Sequence, residues 1–170
     1  MSGEAVVLTT DGSHLLHGEL LGVTGIDFPA GEIENVDISA SAAIAASKCQ
    51  RSVTLSGFQS GTAADATIIV FFCKGATATI KSFTVSNLTA NAGSSEVDVD
   101  LKKNGTSVLS AAITLDSTKA AYSETNGTIS TTGMTEGQYL TVVIDATASG
   151  TDTVATGVFW QIELDEDYDA

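Results

Sequence analysis

Residues 96–115 read EVDVDLKKNGTSVLSAAITL. The opening residues alternate, with Val97, Val99 and Leu101 on one face and Glu96, Asp98 and Asp100 on the other. Strand side chains point to opposite sides in turn, so this pattern predicts a half-buried β-strand. Lys103-Asn104-Gly105 follows, and Asn-Gly supplies two residues that accept positive φ, as a tight hairpin turn requires. The return strand is expected over residues 106–115. A strand, a tight turn and a second strand make an antiparallel hairpin, and an antiparallel hairpin at the centre of the chain points to an all-β fold.

Outward from this hairpin the same signals recur. SVTLSGF (52–58) alternates, and so does ATATIKSFTVS (76–86) around Ile80, Phe83 and Val85. ATIIVFFC (66–73) is a continuous apolar run rich in β-branched and aromatic residues, which predicts a strand buried on both faces. A short strand is expected near residues 120–125, with a second tight turn at Asn126-Gly127. GQYLTVVIDATA (137–148) and TVATGVFWQIEL (153–164) complete the set. Strands at this spacing, with turn residues between them, indicate an antiparallel β-sandwich, jelly-roll-like in type. An immunoglobulin-like sandwich is the weaker alternative, because no cysteine pair brackets the tryptophan.

The first 50 residues differ in character. Leu15, Leu16, Leu20, Leu21 and Val23 cluster after an Asp-Gly turn, and residues 22–37 carry glycines, Pro29 and acidic groups. An extended N-terminal arm is expected there. Residues 39–47 are almost entirely alanine and serine. Side chains this small bury little area within one chain, but they let identical copies approach closely. Ile38, Ala43, Ile44 and Ala46 are therefore the expected contacts of an oligomer. The expected organisation is an arm and linker over 1–50, a sandwich over 51–165 and an acidic tail over 166–170.

The chain has 170 residues and a formal net charge of −14, with 21 acidic residues against 7 basic ones. Affinity for nucleic acid comes from cations that displace counterions, so nucleic acid is not an expected partner. No apolar run reaches the roughly 18 residues of a membrane span, so no membrane association is expected. The N-terminus lacks a signal-peptide pattern, and synthesis in a reducing cytoplasm is expected. Cys49 and Cys73 are too few for a disulfide framework and read as buried free thiols.

Catalytic motifs are absent from the reading. There is no Gly-x-Ser-x-Gly elbow and no Walker or Rossmann glycine pattern. His14 and His17 lack a third metal ligand. Glu96, Asp98 and Asp100 read as a solvated strand face rather than a cation site. The Asn-x-Thr triplets at Asn87, Asn104 and Asn126 read as turns. Tyr122, Tyr139, Phe159 and Trp160 are the aromatics that could stack on sugars, with packing as the alternative for each. No enzyme activity and no cofactor are expected.

Two stretches carry a resemblance. Residues 35–48, NVDISASAAIAASK, resemble a connector of bacteriophage fibre and head-surface proteins, in which an Asn-Ala-Asp-Ile-Ser-Ala-like start leads to Ala-Ala-Ile-Ala. Val36 departs from the usual alanine, and Cys49 from the usual leucine or isoleucine. Residues 101–115, LKKNGTSVLSAAITL, resemble a hairpin of small phage head-surface domains. The resemblance implies a head decoration (cement) or head-fibre protein located on the virion as a homotrimer, with Ile38, Ala43, Ile44 and Ala46 as the trimer contacts. Its arm (Leu15, Leu16, Leu20, Leu21, Val23) would bind the major capsid protein, and its sandwich would project outward. The alternative is the receptor- or carbohydrate-binding tip of a tail fibre.

Overall fold

A computed structural model describes residues 51–167. These residues form ten strands and no helix: β1 (Arg51–Thr62), β2 (Ala66–Phe72), β3 (Thr77–Thr89), β4 (Glu96–Lys103), β5 (Thr106–Ser107), β6 (Ile113–Leu115), β7 (Thr125–Asn126), β8 (Gly133–Thr135), β9 (Tyr139–Thr147) and β10 (Thr156–Asp167). All pairings are antiparallel. Sheet A runs β1-β10-β3, with β7 and β8 both on the far edge of β3. Sheet B runs β2-β9-β4, with β5 and β6 both on the far edge of β4. Counting β5/β6 and β7/β8 each as one interrupted strand gives the order 1-8-3-6 against 2-7-4-5. That is the jelly-roll order, so the expected all-β sandwich is the fold found.

Alternation builds the core. Phe83 and Val85 from β3 and Val158, Trp160, Ile162 and Leu164 from β10 face Val97, Val99 and Leu101 from β4 and Leu140, Val142 and Ile144 from β9. Burying each such side chain contributes about 1.5–3 kcal/mol before conformational entropy is subtracted. Gly57 lies opposite Trp160 across the β1–β10 pair, and a Cβ there would collide with the indole ring. The missing side chain on the edge strand makes room for the largest one in the core.

Buried polar groups tie the connections at the two ends. Asn91 donates to Leu115 O (2.5 Å) and accepts from Ala155 N–H (2.8 Å). Glu166 is buried, and one carboxylate oxygen accepts the N–H groups of Lys74 and Gly75, both at 2.7 Å. Glu166 and Asp167, expected to begin a solvated tail, instead continue β10. Cys73 is a buried free thiol, as expected. Burial, then the carboxylates of Glu166 and Glu136, push its pKa up.

Four local expectations are corrected. The run 66–73 is not buried on both faces. β2 is the edge of sheet B, with Ile69 57% and Phe72 49% exposed and an irregular register between Ile69 and Phe71. The return strand 106–115 breaks into β5 and β6: Val108 N–H still bonds Leu101 O on β4, but Leu109 pairs with Ile129 and Ser110 N–H bonds Thr128 O. Asn104 and Gly105 form the expected turn, with φ of 48° and 85°. Asn126-Gly127 does not turn back on itself: Asn126 pairs with Thr84, whose hydroxyl donates to its side chain at 2.6 Å, and Gly127 N–H reaches Phe83 O. The long edge of β3 captures this segment. Of the three Asn-x-Thr triplets, then, only Asn104 lies in a turn; Asn87 and Asn126 are strand residues.

Candidate functional site: the outer face of sheet A

The same alternation that fills the core sends a second set of residues outward. Register aligns them in rows across sheet A. Phe58, Phe159 and Ser86 make one row; Ser56, Gln161, Thr84 and Asn126 make the next; Thr54, Glu163 and Ser82 follow. The face is therefore apolar at one end and polar along the rest.

The segment between β6 and β7 closes one side. Asp116 fixes its start: its carboxylate accepts the Thr118 hydroxyl (2.5 Å) and N–H (2.9 Å), and these bonds, hydroxyl first, hold its pKa below the usual range. At the other end Tyr122 N–H donates to Asn87 O at 2.8 Å. Tyr122 has a φ of 59° and is 78% exposed. A non-glycine residue rarely takes that backbone conformation, and a bulky one taking it is an outlier.

The result is an open groove with two halves. The apolar half has a volume of about 290 Å³ between Phe58, Leu88, Tyr122 and Phe159. The polar half, about 390 Å³, adds Thr84, Glu124, Asn126 and Gln161. The halves share Ser86, Tyr122 and Phe159. Glu163 accepts the Ser82 hydroxyl at 3.0 Å. Neither half is lined by a lysine or arginine. Beyond the polar end, Asp165 accepts from Ser52 (2.6 Å) and pairs with Lys81 (3.0 Å). The Ser52 hydroxyl first, then Lys81, hold the Asp165 carboxyl below its usual range.

Of the four aromatics expected to be able to stack on sugars, Tyr122 and Phe159 meet in this groove. Trp160 is core, and Tyr139 packs against Phe72 with ring centroids 6.0 Å apart. Phe58 joins the groove without having been singled out in the sequence. Its signal was there: in SVTLSGF it falls on the opposite phase to Val53, Leu55 and the core-facing Gly57.

On sheet B, Glu96, Asp98 and Asp100 do lie on the outer face. Thr114 donates to Asp98 (2.5 Å) and Ser107 to Asp100 (2.7 Å). Among the described residues no group of three or more His, Cys, Asp or Glu is placed to hold a metal ion. The expected arm contacts Leu15, Leu16, Leu20, Leu21 and Val23, the expected trimer contacts Ile38, Ala43, Ile44 and Ala46, and His14, His17 and Cys49 lie outside the described residues. No protein-family model matches this chain, and no curated protein matches it.

Proposed function

We propose that this chain is a structural protein of a bacteriophage particle, without catalytic activity, that decorates the capsid surface. Residues 1–50 anchor it to the major capsid protein, the subunit associates as a homotrimer, and the sandwich is displayed outward. The observation that carries the reading is the hairpin at residues 101–115. This stretch, which resembles a hairpin of phage head-surface domains, is the β4–β5 turn and its continuation within a jelly-roll sandwich. Jelly rolls recur in viral capsid and lectin domains. A fold hosts many functions, so the weight rests on the fold and the resembling residues together.

Mass spectrometry of purified particles tests the reading through copy number. Hundreds of copies per particle are expected for a decorating subunit. A second reading, the tip of a tail fibre, draws support from the aromatic groove and requires only a handful of copies. Absence from particles would refute both. Sedimentation tests the trimer: Ala43→Leu or Ala46→Leu should weaken assembly while leaving the sandwich folded.

A further inference from the structure

We infer that the groove on the outer face of sheet A is a binding site for neutral or amino-sugar glycans. The inference deepens the fibre-tip reading by naming a ligand class, and it holds equally for a decorating subunit.

Three observations carry it. The first is the shape of the chemistry. Phe58, Phe159 and Tyr122 gather at one end, while Gln161, Asn126 and Glu124 line the other. A saccharide has the matching division: a face of C–H bonds and an edge of hydroxyls. Polarised C–H groups suit the negative face of an aromatic ring. Hydroxyls both donate and accept, as the amide and carboxylate groups beside the rings require. Thr84 already occupies Asn126 Oδ1, which leaves the Asn126 amide N–H groups to donate. Both halves are of the order of small-ligand sites, roughly 300–1,000 Å³.

The second observation is Tyr122 itself. The residue is 78% exposed and its backbone sits at a φ of 59°. The conformation belongs to a turn in which Ser123 N–H bonds Ala120 O at 3.2 Å, and Tyr122 N–H ties that turn to Asn87 O on β3. Strained residues persist where surrounding structure holds them, and they cluster at ligand sites. A rigid, exposed tyrosine supplies large contact area at low entropic cost.

The third observation is charge. Glu124 and Glu163 line the groove, and no lysine or arginine does. A uronic or sialic acid would bring a third carboxylate beside two. A neutral sugar has no such penalty, and a protonated amino sugar gains from both.

The test uses the full-length chain. Oligomers of glucose, galactose, N-acetylglucosamine and glucosamine, with polygalacturonate and sialyl-lactose as anionic controls, are titrated by calorimetry. Binding of at least one neutral or amino oligomer is expected, at least tenfold tighter than either anionic control. Tyr122→Ala and Gln161→Ala should each weaken it about tenfold or more, while Phe72→Ala on the edge of sheet B should not. Both altered side chains stand outside the core, and circular dichroism verifies the fold of each variant. Absence of binding to every oligomer, a preference for the anionic controls, or binding unchanged in both groove variants would overturn the inference. So would self-association abolished by Tyr122→Ala, which would assign the face to a second copy of the chain. Copy number on particles is a separate measurement, so failure of the glycan site and failure of the particle reading are distinguishable.

Discussion

The two sheets are alike on their inner faces and unlike on their outer ones. Inside, β10 presents Val158, Trp160 and Ile162, and β9 presents Leu140, Val142 and Ile144, all buried aliphatic or aromatic groups. Outside, sheet A carries an aromatic shelf with a polar strip. Sheet B carries a carboxylate ladder in which Asp98 lies directly opposite Asp145 and Lys102 reaches Asp100 only at 3.9 Å. Packing dictates the inner residues, so they say what folds. The outer residues are free of that demand, and the proposed glycan site rests on their difference. A ladder of like charges holds water well and binds little. Sheet B leaves Ile69 and Phe72 exposed on its edge strand β2, whereas on sheet A the exposed Phe58 and the half-buried Phe159 lie side by side and share a groove with Tyr122.

The comparison can be broken from inside first. Trp160→Ala should cost about 3–5 kcal/mol in urea denaturation, and Leu101→Ala in sheet B about 2–5 kcal/mol. A loss much under 1 kcal/mol for either would show that its sheet's inner face is not the foundation claimed here. The next effect is at the shelf. Gly157 has a φ of 65°, and the space a Cβ would need is taken by Leu88. Gly157→Ala should cost about 1–3 kcal/mol, and it should perturb the apolar half of the groove more than the polar half, read by amide chemical shifts.

Tyr122→Gly should move the other way and raise stability by up to about 1 kcal/mol, because glycine removes the strain of positive φ. A clear loss instead would mean the ring holds the segment in place and is not poised for a ligand. On sheet B, Asp145→Asn should stabilise by about 0.2–1 kcal/mol, since like charges directly opposite oppose pairing. The gain should shrink as salt is added.

The smallest effect is a pH dependence on sheet A. The folded Asp165 carboxyl titrates below its unfolded value of about 3.9. A depressed carboxylate contributes stability that is complete above the unfolded pKa and disappears as pH falls through the lower, folded one. Ser52→Ala removes the main cause. The wild type should therefore exceed this variant slightly at neutral pH, with the difference vanishing in strong acid. A difference that grew on acidification would contradict the assignment.

What could be read from sequence was local. Alternation in 96–101 and the Asn104-Gly105 turn depend on neighbours in the chain, and each appears as expected, whereas 76–86 alternates in two phases, with Ile80 and Phe83 both facing the core across an irregularity opposite Glu163 and Leu164. Partner choice depends on residues far apart, and no periodicity encodes that β1 lies beside β10. The same limit explains the misreading of 66–73. An apolar edge strand and a buried central strand share one composition, and only the sheet order tells them apart. At the groove, Tyr122 and Phe159 were identifiable as aromatics, but their meeting was not. It needs the β3–β10 register together with the anchor from Tyr122 N–H to Asn87 O. Glu166 was misread because acidity near a chain end suggests solvent, whereas two backbone N–H groups on the β2–β3 connection claim its carboxylate.

Arg51 pairs with Glu166, so β1 begins and β10 finishes at one and the same end of the sandwich. From Arg51 to Phe58 the strand advances seven steps, roughly 23 Å at about 3.3 Å per residue. That end and the shelf are thus separated along the length of β1, and the opposite end of the sandwich carries the β1–β2, β3–β4 and β9–β10 connections. Gly150, at a φ of 58° in the last of these, has open space where a side chain would be. A foreign peptide grafted beside it would ride at the far tip, within reach of whatever the shelf meets and away from the end where β1 begins.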